Sequence, residues 1–535
     1  MNKGVIVTNL KKMTKIAESN YGNRVAFSFR VGKNEILEKT YTEFQNDING
    51  LGTYLHKHNL CNEKIAIIGD NSYNWIVSYF AIVQGGNVAV PIDKNLPFED
   101  IIYILDNSNC TAIIYGSDYD NIVTMIKESL KSIKIAINMK DLVRYIKEGK
   151  EEIRKGYLEF VEKDIDDDSD AMIVYTSGTT GKSKGVVLTH KNLALDAYST
   201  GFNLKIDGDT ILFLPLHHSF GLVAGVFMVI CVGRRIHINH NFRKVFEDFK
   251  IIKPKLVFLV PVIIEQFYKN IWKDLSKSGL EEKYRELVKY SNDQLGKGND
   301  KRRELFKSIL DQFGGKLETL CCGGAPLNEI YVKGYREIGI NLINGYGISE
   351  CSPIVSVNKN DNYRDGSVGQ IINCCQVKIK NKNKDGIGLI LVKGDNIMKG
   401  YYKNEEETKK VLSEDGWFNT GDLGKIDEDG FLFITGRAKN IIVLSNGENV
   451  QAEELEDKIK KINNVKEVIV YGEDDMLTAE LFLESPNSEE EVKNEILALN
   501  EDLPLYKRIK KIKIRDNEFE KTATKKIKRT FFRGN

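Results

Sequence analysis

Residues 171–188 read AMIVYTSGTTGKSKGVVL, and this stretch decides the fold. The apolar residues 171–175 predict a buried strand, and the β-branched pair Val186 and Val187 predicts a second strand. The loop between them combines glycines, hydroxyl residues and lysines. Small residues let backbone N–H groups approach phosphate oxygens, while hydroxyl and ammonium groups add donors and charge. The stretch therefore predicts a phosphate-binding loop between two strands.

The same loop differs from a Walker P-loop. Gly181, Lys182 and Ser183 match the second half of that motif, but Thr176 stands where its first glycine is required. A P-loop also opens a helix, whereas a strand is predicted here after residue 185. The sequence therefore argues against a kinase or a P-loop ATPase. Taken alone, a plain Ser/Gly turn remains the other interpretation of these residues.

Helical and strand patterns alternate before this loop. Residues 42–56 and 72–83 have apolar residues at helical spacing, and residues 64–69 and 86–91 have the composition of buried strands. Such alternation predicts a parallel sheet covered by helices on both faces. After the loop, the highly charged residues 271–315 predict inserted surface helices. The last hundred residues predict a small α/β domain.

Composition excludes several classes of protein. The chain has 535 residues, 41% hydrophobic and 29% charged, which is ordinary for a globular protein of two to four domains. With 77 Lys+Arg against 76 Asp+Glu, it lacks the basic excess expected of a nucleic-acid binder. The longest apolar run, residues 222–232, falls short of the roughly 20 residues that cross a bilayer. No signal peptide is visible and the eight cysteines have no zinc-site spacing, so reduced thiols and a cytoplasmic location are expected.

The C-terminal residues 507–533 are locally basic, with twelve Lys/Arg against three Asp/Glu. We expect this charge to serve phosphate and other anionic substrate groups. The alternative is a basic surface that contacts nucleic acid or anionic lipid, so peripheral membrane association stays open.

Tyr175–Thr189 resembles the signature of the adenylate-forming (AMP-binding) superfamily, which includes acyl-CoA synthetases, luciferases and peptide-synthetase adenylation domains. Further motifs follow in the family's order along essentially the whole chain, and they are most similar to those of long-chain fatty-acid–CoA ligases. The resemblance implies an α/β fold with a large N-terminal domain, residues 1–437, made of α/β layers and a small β region. A small mobile α/β domain, residues 438–535, would follow it, with the hinge at Lys439.

The resemblance also implies an ATP site with bound Mg²⁺. The β- and γ-phosphates would be held by the loop, and Ser349 would contact the α-phosphate. Glu350 and Thr180 would bind the metal, since carboxylate and hydroxyl oxygens suit Mg²⁺. The phosphate-binding loop residues implied are Thr176, Ser177, Gly178, Thr179, Thr180, Gly181 and Lys184. Those implied for adenine and ribose are Gly323, Gly324, Ala325, Asn344, Gly345, Tyr346, Asp422 and Arg437.

Three residues are implied in catalysis: Lys526, His218 and Glu350. Leu216–Gly221 is similar to the family's station beside the reacting carboxylate, with His218 at the key position, although a lone histidine is more often structural. Lys526 lies in a C-terminal motif in which Lys525 replaces the family's glycine, so Lys525 is a rival for its role. Asn446 and Gly447 are similar to the loop that faces CoA.

The implied reaction is ATP-dependent activation of a carboxylic acid to acyl-AMP, followed by thioester formation with CoA and release of AMP and pyrophosphate. A medium- to long-chain fatty acid is favoured, because residues 216–221 lack the aspartate of amino-acid adenylation domains. The apolar residues 222–227 either line a cavity or form a core helix. One alternative acceptor is the phosphopantetheine thiol of a carrier protein. A second alternative is an inactive nucleotide- and acyl-binding sensor.

Overall fold

The computed structural model describes residues 7–32, 35–176, 183–204, 206–239, 241–444, 449–473, 476–521 and 527–529. The chain separates into two compact units. The first comprises residues 1–376 and 392–418, and the second comprises residues 377–391 and 419–535. The fold is thus mixed α/β with a large N-terminal and a smaller C-terminal part. Compactness groups residues 419–437 with the C-terminal part, whereas the sequence prediction places them before the boundary.

Nineteen helices and twenty-five strands are assigned within the described residues. The helices are α1 (Leu10–Tyr21), α2 (Tyr41–Lys57), α3 (Tyr73–Gln84), α4 (Phe98–Ser108), α5 (Asp120–Ser129), α6 (Leu142–Arg154), α7 (Glu159–Glu162), α8 (His190–Leu204), α9 (Ser219–Leu222), α10 (Met228–Cys231), α11 (Val245–Ile252), α12 (Pro261–Lys277), α13 (Glu281–Gly296), α14 (Arg302–Leu305), α15 (Lys307–Gln312), α16 (Glu329–Glu337), α17 (Glu405–Val411), α18 (Ala452–Ile459) and α19 (Glu489–Glu501). The strands are β1 (Val25–Val31), β2 (Glu35–Thr40), β3 (Lys64–Ile68), β4 (Val88–Ile92), β5 (Ala112–Tyr115), β6 (Ile135–Asn138), β7 (Asp170–Thr176), β8 (Lys184–Thr189), β9 (Thr210–Leu212), β10 (Ile236–Ile238), β11 (Leu256–Leu259), β12 (Thr319–Cys322), β13 (Asn341–Gly347), β14 (Ile354–Val357), β15 (Gln370–Ile371), β16 (Cys375–Lys380), β17 (Gly388–Gly394), β18 (Gly400–Tyr401), β19 (Phe418–Ile426), β20 (Leu432–Arg437), β21 (Ile441–Val443), β22 (Asn449–Gln451), β23 (Val465–Glu473), β24 (Met476–Leu483) and β25 (Lys511–Arg515).

A seven-stranded sheet forms the centre of the first unit, in the order β18-β8-β7-β4-β3-β5-β6. Strands β7, β4, β3, β5 and β6 are mutually parallel, whereas β8 and β18 run antiparallel to their neighbours. The parallel strands are near-continuous apolar runs because both faces are buried. All residues of helix α3 except Asn74 are buried. The predicted strand–helix alternation and parallel sheet are confirmed.

A second sheet, β11-β12-β13-β14-β15, has three parallel strands followed by two antiparallel ones. The predicted helices of residues 271–315 are present as the end of α12 and as α13, α14 and α15. Their apolar side chains Phe306, Ile309 and Leu310 are buried in the core that this sheet shares with α11, α12 and α16. The charged residues of α13 remain largely exposed. A third sheet of the first unit has the order β2-β1-β10-β9.

The second unit contains a four-stranded sheet, β16-β17-β19-β20, the pair β21-β22 and the three-stranded sheet β23-β24-β25. Helices α18 and α19 supply Leu455, Ile459, Val492 and Ile496 to its core. Helix α18 packs on β20, where a Cβ on Gly436 would come within 2.9 Å of Glu453 Oε2. This packing is the physical reason why residues 419–437 group with the C-terminal part. Within the described residues, no helix has an apolar stretch long enough to cross a membrane.

Candidate active site

The predicted phosphate-binding loop connects β7 to β8. Thr176 and Lys184 are paired at its two ends, and Tyr175 pairs with Gly185 one step further into the sheet. The predicted strand over residues 186–188 is confirmed, so the loop leads into a strand and not into a helix. This geometry differs from that of a Walker P-loop. Ser177, Gly178, Thr179, Thr180 and Gly181 lie outside the described residues.

Lys184 is held at the end of this loop by a carboxylate that the sequence analysis missed. Its ammonium group is paired with Glu407 at the start of α17, and its Nζ lies 5.2 Å from the centroid of the Tyr401 ring. Hydrogen bonds from Lys184 and Lys410 lower the pKa of Glu407 to about 2. Glu407 is therefore ionised at neutral pH, and the position of the lysine is set before any anion binds.

Glu350 lies on a short 3₁₀ turn, Ser349–Cys351, that follows β13. The residue is 8% exposed, and the Tyr401 hydroxyl donates a hydrogen bond of 2.8 Å to its Oε1. Burial and the Glu350 carboxylate raise the pKa of Tyr401, so this hydroxyl remains a donor. Because the Tyr401 ring also contacts Lys184, one side chain links the candidate metal ligand to the phosphate loop. Buried carboxylate oxygens of this kind suit Mg²⁺.

Two motifs that are distant in sequence meet beside Glu350. The Ser219 hydroxyl donates to Ser349 Oγ across 3.4 Å, which joins residues 216–221 to residues 344–350. The Phe220 ring lies against the backbone of Gly323, where an added Cβ would come within 2.8 Å of the ring. A side chain at Gly323 would therefore require the Phe220 ring to shift. His218, Ser349 and Gly323 are thus parts of one region of the first unit.

The predicted adenine-binding residues lie on and after two neighbouring parallel strands. Cys322 of β12 pairs with Asn344 of β13, so Gly323–Ala325 and Asn344–Tyr346 follow from adjacent positions. Gly324 has φ +87°, which favours glycine, and Tyr346 is half-buried. Asn344 Oδ1 is buried with no hydrogen-bond partner among the described residues. A buried acceptor without a donor fits a ligand that brings an N–H, as the adenine amino group does.

His218 belongs to a cluster with His217 and Asp93. The ligand-type atoms of these three side chains all lie within 4.8 Å of one another. Asn71 fixes the backbone leading into the cluster, because its amide donates to the Leu214 carbonyl at 2.8 Å and accepts from the Leu216 N–H at 3.0 Å. Imidazole nitrogens suit transition metals better than Mg²⁺, so this cluster is distinct in chemistry from Glu350.

Asp422 and Arg437, the predicted ribose-binding residues, are paired within the second unit. They face each other across β19 and β20, and Arg437 Nε donates to Asp422 Oδ1 at 2.7 Å. Asp422 is 5% exposed, and its backbone N–H donates to Thr420 Oγ1. Lys439, the predicted hinge, is exposed on a 3₁₀ turn directly after β20. A carboxylate oriented by an arginine is a suitable acceptor for ribose hydroxyls.

The predicted catalytic lysine, Lys526, its rival Lys525, and the CoA-loop residues Asn446 and Gly447 lie outside the described residues. The segment that carries both lysines is bounded by Lys521 and Ile527, which form an antiparallel bridge. Lys521 is paired with Glu467, and Arg529 with Glu456; both carboxylates are buried. The two ends of this segment are thus tied to the core of the second unit.

Two profiles of known protein families match most of the chain. The profile described as AMP-binding enzyme matches residues 15–402, and that described as AMP-binding enzyme C-terminal domain matches residues 439–535. The chain belongs to the AMP-binding enzyme family. The predicted superfamily membership is thereby confirmed.

Relatives of this AMP-binding enzyme include two ligases. A chloroplastic long-chain-fatty-acid–[acyl-carrier-protein] ligase of Arabidopsis thaliana is 28% identical over 88% of this chain and 75% of its own length. A long-chain-fatty-acid–CoA ligase of Mycobacterium bovis is 29% identical over 77% of this chain and 71% of its own length. The chain is therefore similar to enzymes that differ in their acceptor.

Solved structures share the fold of this AMP-binding enzyme. A Mycobacterium tuberculosis fatty acyl CoA synthetase has a TM-score of 0.69 at 21% identity, covering 97% of this chain and 96% of its own. The o-succinylbenzoate CoA synthetase of Bacillus subtilis, in complex with ATP and magnesium ion, has a TM-score of 0.76 at 23% identity, covering 97% and 98%. The family and the ligase relatives identify the chain as an AMP-forming acid–thiol ligase, and the solved structures show its fold.

The sequence analysis missed several residues of the candidate site: Tyr401, Glu407, Asp93 and His217. Tyr401 and Glu407 lie in a segment that the sequence analysis did not single out. Asp93 directly follows the apolar strand β4, and a carboxylate at the end of a buried parallel strand is a signal that could have found it.

Proposed function

We propose that this enzyme activates a medium- to long-chain fatty acid with ATP and Mg²⁺ and transfers the acyl group to CoA. The observation that carries the ATP chemistry is the Tyr401 side chain, which contacts both buried Glu350 and Lys184 of the predicted phosphate loop. In the first step, a substrate carboxylate oxygen attacks the α-phosphorus of ATP, forming acyl-AMP and releasing pyrophosphate. In the second step, a thiolate attacks the acyl carbon and AMP leaves.

The proposed roles of the residues follow the charge that develops in this reaction. Bound Mg²⁺ would neutralise phosphate oxygens, and Glu350 with Thr180 would hold it. Lys184 and the loop, with Ser349, would hold the phosphates. Asp422 with Arg437 would bind the ribose. Lys526 would stabilise the charge on the α-phosphate during adenylation only, while His218 would face the substrate carboxylate.

The fatty-acid proposal is supported by what residues 216–221 lack and by the relatives. No acidic side chain stands there to hold an α-ammonium group. Both ligases cited above are named for long-chain fatty acids. The apolar residues 222–231 comprise the last residue of α9, a π-helical turn and α10, and all of them are buried. This burial agrees with the core-helix interpretation, so the case for an acyl tail rests on the other two observations.

A second candidate acceptor is the phosphopantetheine thiol of an acyl carrier protein. The observation that favours it is the likeness to the Arabidopsis thaliana ligase, which is named for that acceptor and aligns over 88% of this chain. The same adenylation chemistry would serve either thiol, so the two candidates differ only in the second step.

The test is pyrophosphate release from ATP and Mg²⁺ across acids from acetate to C18, with benzoates and amino acids included. Each acid is assayed alone, with CoA, and with a holo acyl carrier protein. Turnover stimulated by CoA with C8–C18 acids is the expected result. Stimulation by the carrier protein alone would move the acceptor to that thiol. ATP binding without pyrophosphate release for every acid would contradict the enzyme and favour the sensor.

A further inference from the structure

We propose that Asp93 and His217 are positioning residues for His218, and that they hold its ring in place for acid activation. This inference rests on the proposed function, because His218 has a role to be supported only if the enzyme adenylates an acid. It concerns two side chains that the reaction as proposed above does not use.

Asp93 lies at the edge of the central sheet where the phosphate-binding loop begins. It directly follows β4, and β4 is parallel to β7, with Ala89 paired to Met172. Asp93 is four residues beyond Ala89, and Thr176 is four residues beyond Met172. Because parallel strands end at the same edge, the Asp93 carboxylate lies on the side of the sheet where ATP phosphates are proposed to bind.

The Asp93 carboxylate is fixed before it meets the histidine. Its Oδ1 accepts from the Asn95 backbone N–H at 2.9 Å and from the Asn95 side-chain amide at 3.1 Å. Its Oδ2 lies 3.5 Å from His217 Nε2, and the two side chains are only 9% and 11% exposed. Burial alone would raise the pKa of Asp93, but His217 and the Asn95 N–H outweigh it and lower the pKa to about 2. The group therefore remains a carboxylate at neutral pH.

His217 Nε2 makes no regular hydrogen bond within the described part of the chain, but the negative charge of Asp93 at 3.5 Å favours the proton on that nitrogen, which selects one tautomer of His217. The His217 ring in turn packs on the His218 ring, with centroids 4.2 Å apart and planes at 50°. His218 immediately precedes α9, and its backbone is held on both sides: its N–H donates to the Pro215 carbonyl at 3.2 Å, and its carbonyl accepts from the Leu222 N–H at 3.1 Å. The contact with the His217 ring is therefore one of the constraints on the orientation of the His218 ring. The other titratable groups near Asp93 are His218, Lys94, which is paired with Asp70, and the neutral Tyr119 hydroxyl.

The experiment measures acid-dependent ATP–pyrophosphate exchange for the full chain, D93N, H217F and the double variant. D93N keeps the shape but loses the charge, and H217F keeps a packed ring but loses Nε2. We expect each single variant to lower kcat by about tenfold with little change in the KM for ATP, since small errors in positioning act on the chemical step. The double variant should be no worse than either single variant, because both break one interaction.

The matched control is a second buried Asp–His pair in the same unit. His237 Nε2 lies 3.3 Å from Asp248 Oδ2, on β10 and α11. D248N should lower Tm without changing kcat below that Tm. A readout independent of turnover is the ¹⁵N NMR of the imidazoles: we expect Nε2-protonated His217 in the wild type and a tautomer mixture in D93N.

The outcomes separate this inference from the proposed function. Wild-type exchange in D93N and H217F, or additive losses in the double variant, would overturn the positioning role and leave the function standing. If the wild-type protein shows no ATP–pyrophosphate exchange with any of the acids, the proposed function is wrong, and this inference is wrong with it. If D248N lowers kcat as much as D93N does, the losses reflect a general loss of stability, and the positioning role is wrong.

Discussion

At the scale of the residue, the candidate site depends most clearly on one atom, the hydroxyl oxygen of Tyr401. Its hydroxyl donates a hydrogen bond to the Glu350 carboxylate, and its ring faces the Lys184 ammonium group. Removing a hydrogen-bond donor from a buried carboxylate costs roughly 1–3 kcal/mol of free energy. The effect should appear in the step that uses Mg²⁺ and ATP.

We therefore expect Y401F to lower kcat/KM for MgATP by about tenfold, with Tm changed by only a few degrees. ATP–pyrophosphate exchange at varied MgATP gives the kinetic value, and thermal unfolding gives Tm. The control is Y402F, because Tyr402 packs against the apolar core of the neighbouring strands. Equal kinetic losses in both variants would contradict the role assigned to Tyr401.

The two adjacent lysines near the C-terminus give a second prediction at this scale. K526A should abolish adenylation, because it removes the cation proposed for the α-phosphate, yet leave thioester formation from supplied acyl-AMP largely intact. K525A is the matched control and should keep most adenylation. The two half-reactions are assayed separately. If K525A lost adenylation and K526A kept it, the catalytic role would pass to Lys525.

At the scale of the element, α8 begins with a histidine that is fully buried. Burial lowers the pKa of His190 from 6.5 to about 4, with Asp167 opposing the shift. The unfolded chain therefore binds more protons than the folded one between these two pKa values. Stability contributed by neutral His190 is present above pH 6.5 and is lost as the pH falls towards 4.

When the pH is lowered from 7 to 4, we therefore expect the free energy of unfolding to fall by roughly 3 kcal/mol more in the wild type than in H190Q. The measurement is urea unfolding at a series of pH values, and the comparison between the two proteins removes the contribution of other groups. Parallel pH curves for wild type and H190Q would show that His190 is not buried as a neutral ring.

The elements also show why the charged tail is not a free basic surface. Several of its cations are paired with glutamates of the same unit: Lys507 with Glu454, Lys511 and Lys513 with Glu473, Arg515 with Glu480, Lys521 with Glu467 and Arg529 with Glu456. A local excess counted along the sequence is therefore reduced once the strands and α18 come together. This neutralisation weakens the alternative of a nucleic-acid or lipid-binding tail.

At the scale of the whole molecule, the proposed reaction needs the C-terminal part in two roles. Lys439 is exposed on the turn that follows β20, and it is the first residue matched by the C-terminal domain profile. We expect K439P to keep adenylation and to lose thioester formation, because proline fixes φ and would restrict rotation at this residue. K439A is the control and should retain both half-reactions. Equal loss of both steps in K439P and K526A would contradict the expectation that the C-terminal part takes a different orientation for each step.

Many of the secondary-structure elements and motifs could be predicted from short stretches of the sequence. The strand after the phosphate-binding loop, the helices of residues 271–315 and the parallel strands before residue 160 are set by periodicity and by β-branched runs, which act over a few residues. The motifs for ATP are also contiguous, so their resemblance to the family's motifs singled out four residues from the sequence alone: Glu350, Ser349, Asp422 and Arg437. The roles of these residues remain proposals.

Long-range pairings were decided only by the tertiary structure. Ser219 and Ser349 are 130 residues apart, and Lys184 and Glu407 are 223 apart, yet each pair is in contact. Tyr401 and Asp93 stand outside every contiguous motif, and each acquires its partner because sheet order brings two chain segments to one edge. The sequence by itself determined the family, the element types and the chemistry of the motifs, since these depend on neighbouring residues. Which side chains orient those motifs was decided by strand pairing and packing, which sum contacts over the whole chain.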